Sequence, residues 1–304
     1  MSVDCVRFSE DFRFGMCRNM GGYYHKVFPY FGGKSKLLDW LLPFLLRYRH
    51  EVYVEPFGGS GAVLFGKPYL GGLEVFNDLD GDLIHFFRVL RDVTLFPELR
   101  RYLRYSMYSR EFYVEAREKL LFGDAIERAG SFFILACQSF SAGITSGWGY
   151  SVRGVKSESC RYFRRQELLP LFHKRLQSVQ IENSDVFSIL DRYCHSGSLV
   201  YLDPPYVQST LIDKGCYKHM FSDDEHVRLV SAILRFHSER GVHFVLSGYE
   251  NPIYERLLEC GWRVERRRVV ASSSNVSSHG GVKSYRTECL YMSPCRGVGV
   301  FSFS

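Results

Sequence analysis

The chain has 304 residues, of which 46% are hydrophobic and 24% are charged, and its formal net charge is +6. These proportions are ordinary for a soluble globular protein and exclude a low-complexity chain. The length allows either one large α/β domain or two domains.

The N-terminal part predicts neither an export signal nor a membrane span. Residues 1–24 form an extension that is charged and lacks the apolar stretch of a signal peptide. The apolar run LLDWLLPFLL, residues 37–46, is too short to span a bilayer and contains Asp39 and Pro43. We therefore expect a soluble intracellular protein in a cytosol-like compartment.

Two strand–helix units follow this apolar run. The segment HEVYVEPF (50–57) predicts a strand, and after the loop GGSG a helix begins at Ala62. The segment LEVFND (73–78) predicts a second strand, and DLIHFFRVLRD (82–92) predicts a helix. Alternation of this kind is typical of βαβ units with a parallel sheet.

The GGSG loop has the composition of a nucleotide-binding turn. Its glycines allow a tight turn and a close approach of the backbone to a ligand, and the following helix offers free N–H groups. Asp78 lies 19 residues after Gly59, at the end of the next strand, where an acid can bind ribose hydroxyls. The unit predicts an adenosine-containing cofactor. A dinucleotide is the alternative, although the third glycine of G-x-G-x-x-G is absent.

From about residue 94 to 180 the pattern changes to helices and loops. The segments PELRRYLRY, REFYVEAREKLLF and RAGSFFILACQSF predict helices, and the Gly-, Ser- and Arg-rich segment SAGITSGWGYSVRGVKSESCRYFRR follows them. Residues 147–175 contain 7 basic and 2 acidic residues. Such an excess indicates either a solvated surface or an electrostatic footprint for nucleic acid.

The α/β alternation then resumes. SLVYL (198–202) predicts a buried strand, and DDEHVRLVSAILRFHSERG (223–241) predicts a helix. Three more strands are predicted by VHFVLS (242–247), WRVERRRVV (262–270) and TECLYMS (287–293), and a basic Ser/Gly loop joins the last two. The whole pattern predicts a doubly wound sheet that is interrupted by a largely helical, basic insertion.

The motif Asp203-Pro204-Pro205-Tyr206 directly follows the predicted strand SLVYL. Prolines fix the backbone and keep the preceding residue out of helical geometry. The carboxyl end of a strand is where open α/β sheets bind ligands. An aromatic amine could donate its two hydrogens to the Asp203 carboxylate and to a fixed carbonyl, and Tyr206 offers a flat face for a base. The alternative is a rigid turn with no chemical role.

In their order along nearly the whole chain, these motifs resemble those of the Dam-type (D12 class) adenine-specific DNA methyltransferases, which methylate adenine N6 with S-adenosylmethionine. PYFGGKSKLL (29–38) resembles the family's methionine-binding motif, and VEPFGGSGAV (54–63) resembles its glycine-rich cofactor loop. NDLDGDLI (77–84) resembles the ribose-binding motif, and IENSDVFSIL (181–190) resembles the segment that contacts the cofactor adenine. YLDPPY (201–206) is similar to the catalytic motif.

The resemblance implies three groups of site residues. The implied catalytic residues are Asp203, Pro204, Pro205 and Tyr206. The implied cofactor-binding residues are Tyr30, Lys34, Glu55, Pro56, Phe57, Gly59, Gly61, Asp78 and Asp185. The DNA contacts expected from the insertion and the Ser/Gly loop are Arg153, Lys156, Arg161, Arg164, Arg165, Lys283 and Arg286.

The resemblance also implies the organisation of the chain. We expect an S-adenosylmethionine-binding catalytic domain made of residues 25–93 and 181–304, after the N-terminal extension 1–24. Its Rossmann-like sheet would be mostly parallel with a C-terminal antiparallel strand. Residues 94–180 would form an inserted, mainly helical target-recognition domain for double-stranded DNA, whose adenine is rotated out of the stack. No metal and no membrane partner are expected, and self-association is left open.

Other functions use the same motifs. Methylation of cytosine N4 or of RNA relies on the same amine chemistry, although that motif more often begins with Ser for cytosine N4, so Asp203 favours adenine. A catalytically inactive protein that only binds DNA is a further alternative. A restriction partner, an orphan regulator and a phage enzyme would share these sequence features.

Cysteines and histidines predict no separate site. The nine cysteines include no CxxC pair and no Cys/His set at zinc-finger spacing, which predicts reduced thiols. His25, His219, His226 and His279 belong to no recognisable nucleophile–His–acid set, so we interpret them as solvated or structural.

Overall fold

The computed structural model describes residues 26–30, 32–140, 146–150, 158–207, 220–270 and 285–295. Three of the predicted DNA contacts, Arg153, Lys156 and Lys283, lie outside these ranges.

The secondary structure of the described residues alternates between strands and helices. The strands are β1 (Val52–Glu55), β2 (Leu73–Asn77), β3 (Val179–Glu182), β4 (Ser198–Leu202), β5 (His243–Tyr249), β6 (Arg263–Val270) and β7 (Tyr285–Met292). After a 3-10 turn, the α-helices are α1 (Leu38–Leu45), α2 (Ala62–Gly66), α3 (Gly81–Arg91), α4 (Leu95–Arg104), α5 (Arg110–Phe122), α6 (Ala125–Gln138), α7 (Glu158–Leu176), α8 (Val186–Tyr193), α9 (Asp223–Arg240) and α10 (Pro252–Glu259). Within the described ranges, no helix has the length and apolar character needed to cross a membrane.

The strands form one sheet in the order β3-β2-β1-β4-β5-β7-β6. Strand β2 pairs in parallel with β3, and β4 pairs in parallel with both β1 and β5. Strand β7 is antiparallel to β5 on one side and to β6 on the other. This arrangement confirms the predicted fold class, a doubly wound and mostly parallel sheet with a C-terminal antiparallel strand.

The central strands are short apolar segments because their surroundings bury them completely. Every residue of β1 and of β4 is buried. The two strands are in register from Val52 opposite Ser198 to Val54 opposite Val200. Parallel strands that are covered on both faces appear in sequence as continuous hydrophobic runs, which is the pattern that predicted them.

By its internal contacts the chain divides into two compact units. Unit A comprises the described residues up to Leu42 and those of 58–183, and unit B comprises those of 43–57 and from 184 onward. Unit A therefore holds β2, β3 and helices α2 to α7, and unit B holds the remaining five strands with α8 to α10. The inserted domain proposed at 94–180 lies within unit A, and its boundaries stay a prediction.

The core of unit A is built largely from phenylalanine. The ring of Phe28 packs edge-on against Phe86 and Phe132 at centroid distances of 5.5 and 5.3 Å, and Phe86 stacks on Phe133 at 5.9 Å. Offset and edge-on ring pairs of this kind add to the stabilisation that comes from buried apolar area. The packing accounts for part of the high phenylalanine content of the chain.

Helix α7 is the longest of the elements that the sequence pattern did not single out. Its N-terminal part belongs to the Gly-, Ser- and Arg-rich segment that ends at Arg165. The buried residues Tyr162, Leu169, Phe172 and Leu176 follow helical spacing and form one apolar stripe. Basic residues occupy much of the exposed face, which hides this stripe when the segment is judged by composition alone.

Candidate active site

The glycine-rich loop of unit A adopts a backbone that side chains rarely permit. Gly59 and Gly61 have φ angles of +51° and +70°, in the left-handed region that favours glycine. A Cβ on Gly58 would lie 2.2 Å from the Phe76 ring, and one on Gly61 would lie 2.4 Å from the Phe65 ring. Backbone conformation and packing therefore both require glycine in this loop.

The Asp78 carboxylate joins the loop to the end of β2. Its Oδ2 accepts a hydrogen bond from the Gly59 N–H at 2.9 Å, and its Oδ1 accepts one from the Asp80 N–H at 2.9 Å. The Asn183 side chain donates to the Asp78 carbonyl at 2.8 Å. Each carboxylate oxygen can accept more than one hydrogen bond, which makes this group chemically suited to a ligand hydroxyl.

Tyr30 and Lys34 of unit A, together with Ser60 of the loop itself, add aromatic and polar groups to this site. A Cβ on Gly59 would lie 3.1 Å from the Tyr30 ring, so this ring packs directly on the loop. Lys34 is buried and its Nζ donates to the Gly32 carbonyl at 3.4 Å. The buried Ser60 hydroxyl has no hydrogen-bond partner among the described residues. An unsatisfied buried hydroxyl costs about 1–3 kcal/mol, so this loop fits a polar ligand that would supply the partner.

The predicted cofactor residues at the end of β1 belong to unit B. Glu55 is buried, and its Oε1 accepts a hydrogen bond from the Tyr53 hydroxyl at 2.6 Å. Pro56 is buried beside it. Phe57 is partly exposed and packs edge-on against Phe221 with the ring centroids 5.5 Å apart.

Asp185, which we expected near the cofactor adenine, is the N-cap of α8. Its Oδ1 accepts hydrogen bonds from the N–H groups of Phe187 and Ser188 at 3.0 and 3.1 Å, and its Oδ2 accepts one from the Ser188 hydroxyl. These hydrogen bonds, first the one from the Ser188 hydroxyl, lower the pKa of Asp185. The exposed carboxylate therefore stabilises its own helix, and its contact with a cofactor stays a prediction.

The Asp-Pro-Pro-Tyr motif emerges at the carboxyl end of β4 in unit B. Asp203 is the first residue after this buried strand and is partly exposed, whereas Pro204 is buried. The Tyr206 ring stacks face to face on Tyr249, with centroids 4.1 Å apart and ring planes 13° apart. Its hydroxyl donates to Glu288 Oε2 at 3.4 Å. The motif is thus held at its aromatic end by residues of β5 and β7.

Tyr249 and Glu288 were absent from the predicted site because their proximity depends on strand pairing. The antiparallel register of β5 and β7 places Tyr249 directly opposite Glu288. Arg286, a predicted DNA contact, lies with its guanidinium 5.3 Å from the centroid of the Tyr249 ring. The sequence contains one signal for this contact: Glu288 is an acid in a strand whose following residues, 289–292, are apolar and buried.

The predicted DNA-binding arginines of α7 differ in their surroundings. Arg161 and Arg164 are exposed, and Arg161 forms an ion pair with Glu158. Arg165 is partly buried and donates a hydrogen bond to the Cys137 thiol, whose pKa burial raises to about 12. The first two arginines can therefore reach a phosphate more readily than Arg165.

Unit A also presents a stack of aromatic and cationic side chains. Trp148 stacks on the exposed Tyr150 with centroids 5.7 Å apart and planes 17° apart. The Arg110 guanidinium lies 4.9 Å from the Trp148 centroid and 5.6 Å from that of Tyr150. Aromatic faces combined with arginine are typical of surfaces that bind nucleic acids. The sequence pattern did not single out Arg110, because it lies far from Trp148 along the chain.

His226 lies behind the Asp-Pro-Pro-Tyr motif, in the first turn of α9. The ring is fully buried, its Nδ1 is 2.9 Å from the Tyr254 hydroxyl, and Phe221 packs against it edge-on. The Pro205 carbonyl is close enough to the ring to favour its protonated form, although Nε2 makes no hydrogen bond of standard geometry within the described residues. Burial lowers the pKa of His226 to about 4, against the weaker opposing effects of Pro205 and two nearby acids of α9.

Acid is expected to destabilise the protein through His226 before most carboxylates titrate. The pKa is about 4 in the fold and about 6.5 in the unfolded chain, so the unfolded chain binds more protons between these values. Above pH 7 the neutral His226 ring does not lower the free energy of unfolding. On acidification to pH 5, the uptake of a proton by this residue in the unfolded chain lowers the free energy of unfolding by about 2 kcal/mol. Urea denaturation at several pH values should show a shallower pH dependence for His226→Gln than for the wild type. The exposed control His195→Asn should match the wild type, and equal slopes for all three proteins would contradict the assignment.

The remaining histidines and cysteines of the described ranges form no further constellation. No three residues among His, Cys, Asp and Glu gather there in a set that could hold a metal ion. The cysteines in those ranges are free thiols.

Comparison with known proteins finds a family model and a similar protein that match most of this chain. A family model described as D12 class N6 adenine-specific DNA methyltransferase matches residues 30–270. The Type II methyltransferase M.MjaIII of Methanocaldococcus jannaschii is 28% identical over 256 residues, covering 77% of this chain and 88% of that protein. The matched family range includes the glycine-rich loop, Asp78, Asp185 and the Asp-Pro-Pro-Tyr motif.

Similarity to solved structures is more remote. The C-terminal domain of precorrin-6Y C5,15-methyltransferase from Rhodobacter capsulatus matches with a TM-score of 0.35 and 11% identity, over 87% of this chain and 92% of that chain. Magnesium protoporphyrin IX methyltransferase from Synechocystis PCC 6803, solved with bound S-adenosylmethionine, matches with a TM-score of 0.32 and 11% identity, over 84% of this chain and 78% of that chain.

Proposed function

The chain belongs to the D12 class of N6 adenine-specific DNA methyltransferases, and we propose that it transfers a methyl group from S-adenosylmethionine to an adenine rotated out of duplex DNA. As a member of this family it is an adenine-specific DNA methyltransferase. The observation that carries the proposal is the position of Asp203-Pro204-Pro205-Tyr206 at the carboxyl end of the buried parallel strand β4. We also propose that S-adenosylmethionine is the methyl donor, and we propose the roles of single residues and the setting in the cell.

We assign the cofactor contacts of unit A to the glycine-rich loop and its neighbours. S-adenosylmethionine supplies a methyl group on a positively charged sulfur, which makes that methyl group electrophilic. Tyr30, Lys34 and the buried Ser60 hydroxyl would hold its polar groups. The Asp78 carboxylate, already fixed by two backbone N–H groups, would accept the ribose hydroxyls. Glu55, Pro56, Phe57 and Asp185 of unit B keep their predicted roles as further contacts.

The Asp-Pro-Pro-Tyr motif would hold the target amine. Asp203 and the Pro204 carbonyl would each accept one hydrogen of the adenine amino group, which leaves the nitrogen lone pair less delocalised into the ring. Because the prolines fix the carbonyl in advance, little reorganisation is needed when positive charge develops on the nitrogen. Tyr206 would stack on the base, and a proton would leave the nitrogen after the transfer.

Duplex DNA would bind along the basic surface of the inserted segment 94–180. Arg161 and Arg164, both exposed, would contact phosphates, and the stack of Arg110, Trp148 and Tyr150 offers faces for unstacked bases. A paired adenine cannot bring its amino group to a cofactor, so the enzyme must extrude the target base. Since M.MjaIII is described as a Type II methyltransferase, we propose that this chain also belongs to a restriction–modification system.

The proposed reaction is tested by identifying the modified nucleoside. Unmethylated plasmid DNA would be incubated with the purified protein and S-adenosylmethionine carrying a deuterated methyl group, digested, and analysed by mass spectrometry. We expect labelled N6-methyladenine as the modified base, and none when the donor is omitted. Methylcytosine as the sole product would support the cytosine-N4 alternative, and no product would support a DNA-binding protein without activity. A parallel incubation with RNA separates the RNA alternative.

A further inference from the structure

We propose that Glu288 is a positioning residue that orients the Tyr206 phenol for stacking on the target base. The inference rests on the proposed function, because it assigns the support of a residue in the proposed substrate site. It concerns residues of unit B alone, on β5, on β7 and in the segment after β4.

The Glu288 carboxyl group is buried, where an acid destabilises the fold unless hydrogen-bond donors surround it. Glu288 is on β7 and only 2% exposed. A buried carboxyl group is tolerated when hydrogen bonds replace the lost water. Two hydroxyl donors reach it: Ser247 donates to Oε1 at 2.8 Å, and Tyr206 donates to Oε2 at 3.4 Å. One oxygen is thus joined to β5 and the other to the Asp-Pro-Pro-Tyr motif.

The Ser247 bond fixes the carboxyl group independently of Tyr206. Ser247 is buried in the interior of β5, and the ladder between β5 and β7 holds the two backbones in register. Its hydroxyl therefore orients the carboxyl plane from a rigid element. The second oxygen is then directed toward Tyr206, whose segment follows β4 and lacks regular secondary structure.

Two of the contacts of Tyr206 bear directly on the orientation of its ring. Stacking on Tyr249 at 4.1 Å sets the plane of the ring, and the hydrogen bond to Glu288 sets the direction of its hydroxyl end. Stacking alone leaves a ring free to slide in its own plane. With both contacts in place, we expect the ring face that points away from Tyr249 to meet a base in one orientation.

A fixed ring would favour methyl transfer because the amine must meet the donor at a defined distance and angle. A displacement of about 1 Å in such a site can cost about a hundredfold in rate. The hydroxyl of Tyr206 is not needed for stacking itself, so removing it tests the orientation separately from the aromatic face. This property gives the inference a specific test.

The experiment compares Glu288→Gln, Tyr206→Phe and the double variant. Each single variant is expected to lower kcat about tenfold, because Glu288→Gln removes the charge and one of the two acceptor oxygens, and Tyr206→Phe removes the donor of the same orienting contact. The affinities for S-adenosylmethionine and DNA are expected to stay within about threefold of the wild type, since the aromatic face remains. The double variant should lose about tenfold in total, because two changes that break one contact are not additive. Glu265→Gln, which removes an exposed acid from β6, is the matched control and should keep the wild-type kcat.

Two further measurements separate orientation from folding. A duplex with 2-aminopurine at the target position should show a base environment for Glu288→Gln that differs from that of the wild type and matches that of Tyr206→Phe. Thermal melts establish whether each variant is folded. If Glu288→Gln is unfolded, Ser247→Ala replaces it, and its smaller loss of kcat should likewise vanish in the Tyr206→Phe background.

The outcomes distinguish this inference from the proposed function. If the wild type forms N6-methyladenine while Glu288→Gln keeps its kcat, or while the two single losses multiply in the double variant, the positioning role is overturned and the function stands. If the wild type forms no N6-methyladenine, the function fails and the inference fails with it.

Discussion

Replacement of Asp203 by alanine is expected to lower kcat for methyl transfer by about a thousandfold while DNA binding is retained. The carboxylate is proposed to accept an amino hydrogen and to stabilise the positive charge that develops on the nitrogen. Neither contribution is needed for contact with the duplex backbone. Single-turnover methylation and fluorescence anisotropy with the same duplex would measure the two properties separately.

The physical basis is that the interaction strengthens during the reaction. A neutral amino group becomes cationic as it receives the methyl group, so a nearby carboxylate interacts more strongly with the transition state than with the substrate. The effect therefore falls on kcat rather than on the affinity for DNA. Removing a negative charge from a protein that binds a polyanion should leave DNA affinity unchanged or slightly higher.

Two variants sharpen the assignment. Asp203→Asn keeps one acceptor oxygen but loses the charge, so its kcat should fall between those of the wild type and Asp203→Ala. Asp191→Ala removes an exposed acid from α8 in the same unit and should keep the wild-type kcat. A kcat of Asp203→Ala within about tenfold of the wild type would contradict the assigned role, as would equal losses in Asp203→Asn and Asp203→Ala.

The parts of the fold that could be predicted are those whose signal is local. Strands β1 and β4 are mainly apolar, with Glu55 at the end of β1 and Ser198 at the start of β4. The turns that follow them contain glycines and prolines whose backbone demands are visible in sequence. The two left-handed glycines of the loop agree with the expectation of a tight turn. The carboxylate of Asp78 meets this loop through the Gly59 N–H, as expected for an acid at the end of the next strand.

The parts that could not be predicted depend on how distant segments pair. Tyr249 and Glu288 reach Tyr206 only because the final strand β7 inserts between β5 and β6 in a particular register. The order of the strands along the chain does not indicate that β7 lies between β5 and β6 in the sheet. Arg165 shows the same limitation, because its bond to the buried Cys137 is set by the packing of α6 against α7.

Replacement of Glu74 by glutamine is expected to destabilise the fold by about 3–5 kcal/mol. Glu74 joins two buried cations of unit A: Lys67 Nζ lies 2.8 Å from its Oε1, and Arg175 Nη1 lies 2.5 Å from its Oε2. The side chains of Lys67 and Glu74 are each 1% exposed, and that of Arg175 is 5% exposed. Urea denaturation of the wild type and the variant at neutral pH would measure the difference.

The size of this effect follows from what the substitution leaves behind. Glutamine keeps the shape of Glu74 but not its charge, so Lys67 and Arg175 would stay buried and would lose the negative charge that they share. Breaking a buried pair is costly for this reason, even where the intact pair contributes little net stability. Arg175 also belongs to the basic excess of residues 147–175, and its burial in this cluster means that part of that excess serves the fold instead of DNA.

An exposed ion pair and an apolar replacement complete the test of the buried cluster. Glu98→Gln breaks a pair in which Arg101 and Glu98 are 71% and 48% exposed, and should cost less than about 1 kcal/mol. Replacing all three cluster residues, as Lys67→Met, Glu74→Leu and Arg175→Met together, removes every buried charge and should recover most of the stability that Glu74→Gln loses. A loss below about 1 kcal/mol for Glu74→Gln would contradict the argument. A triple variant that is less stable than Glu74→Gln would also contradict it. That result would mean that the attraction within the cluster stabilises the fold, and that unpaired buried charge is not the main cause of the loss in Glu74→Gln.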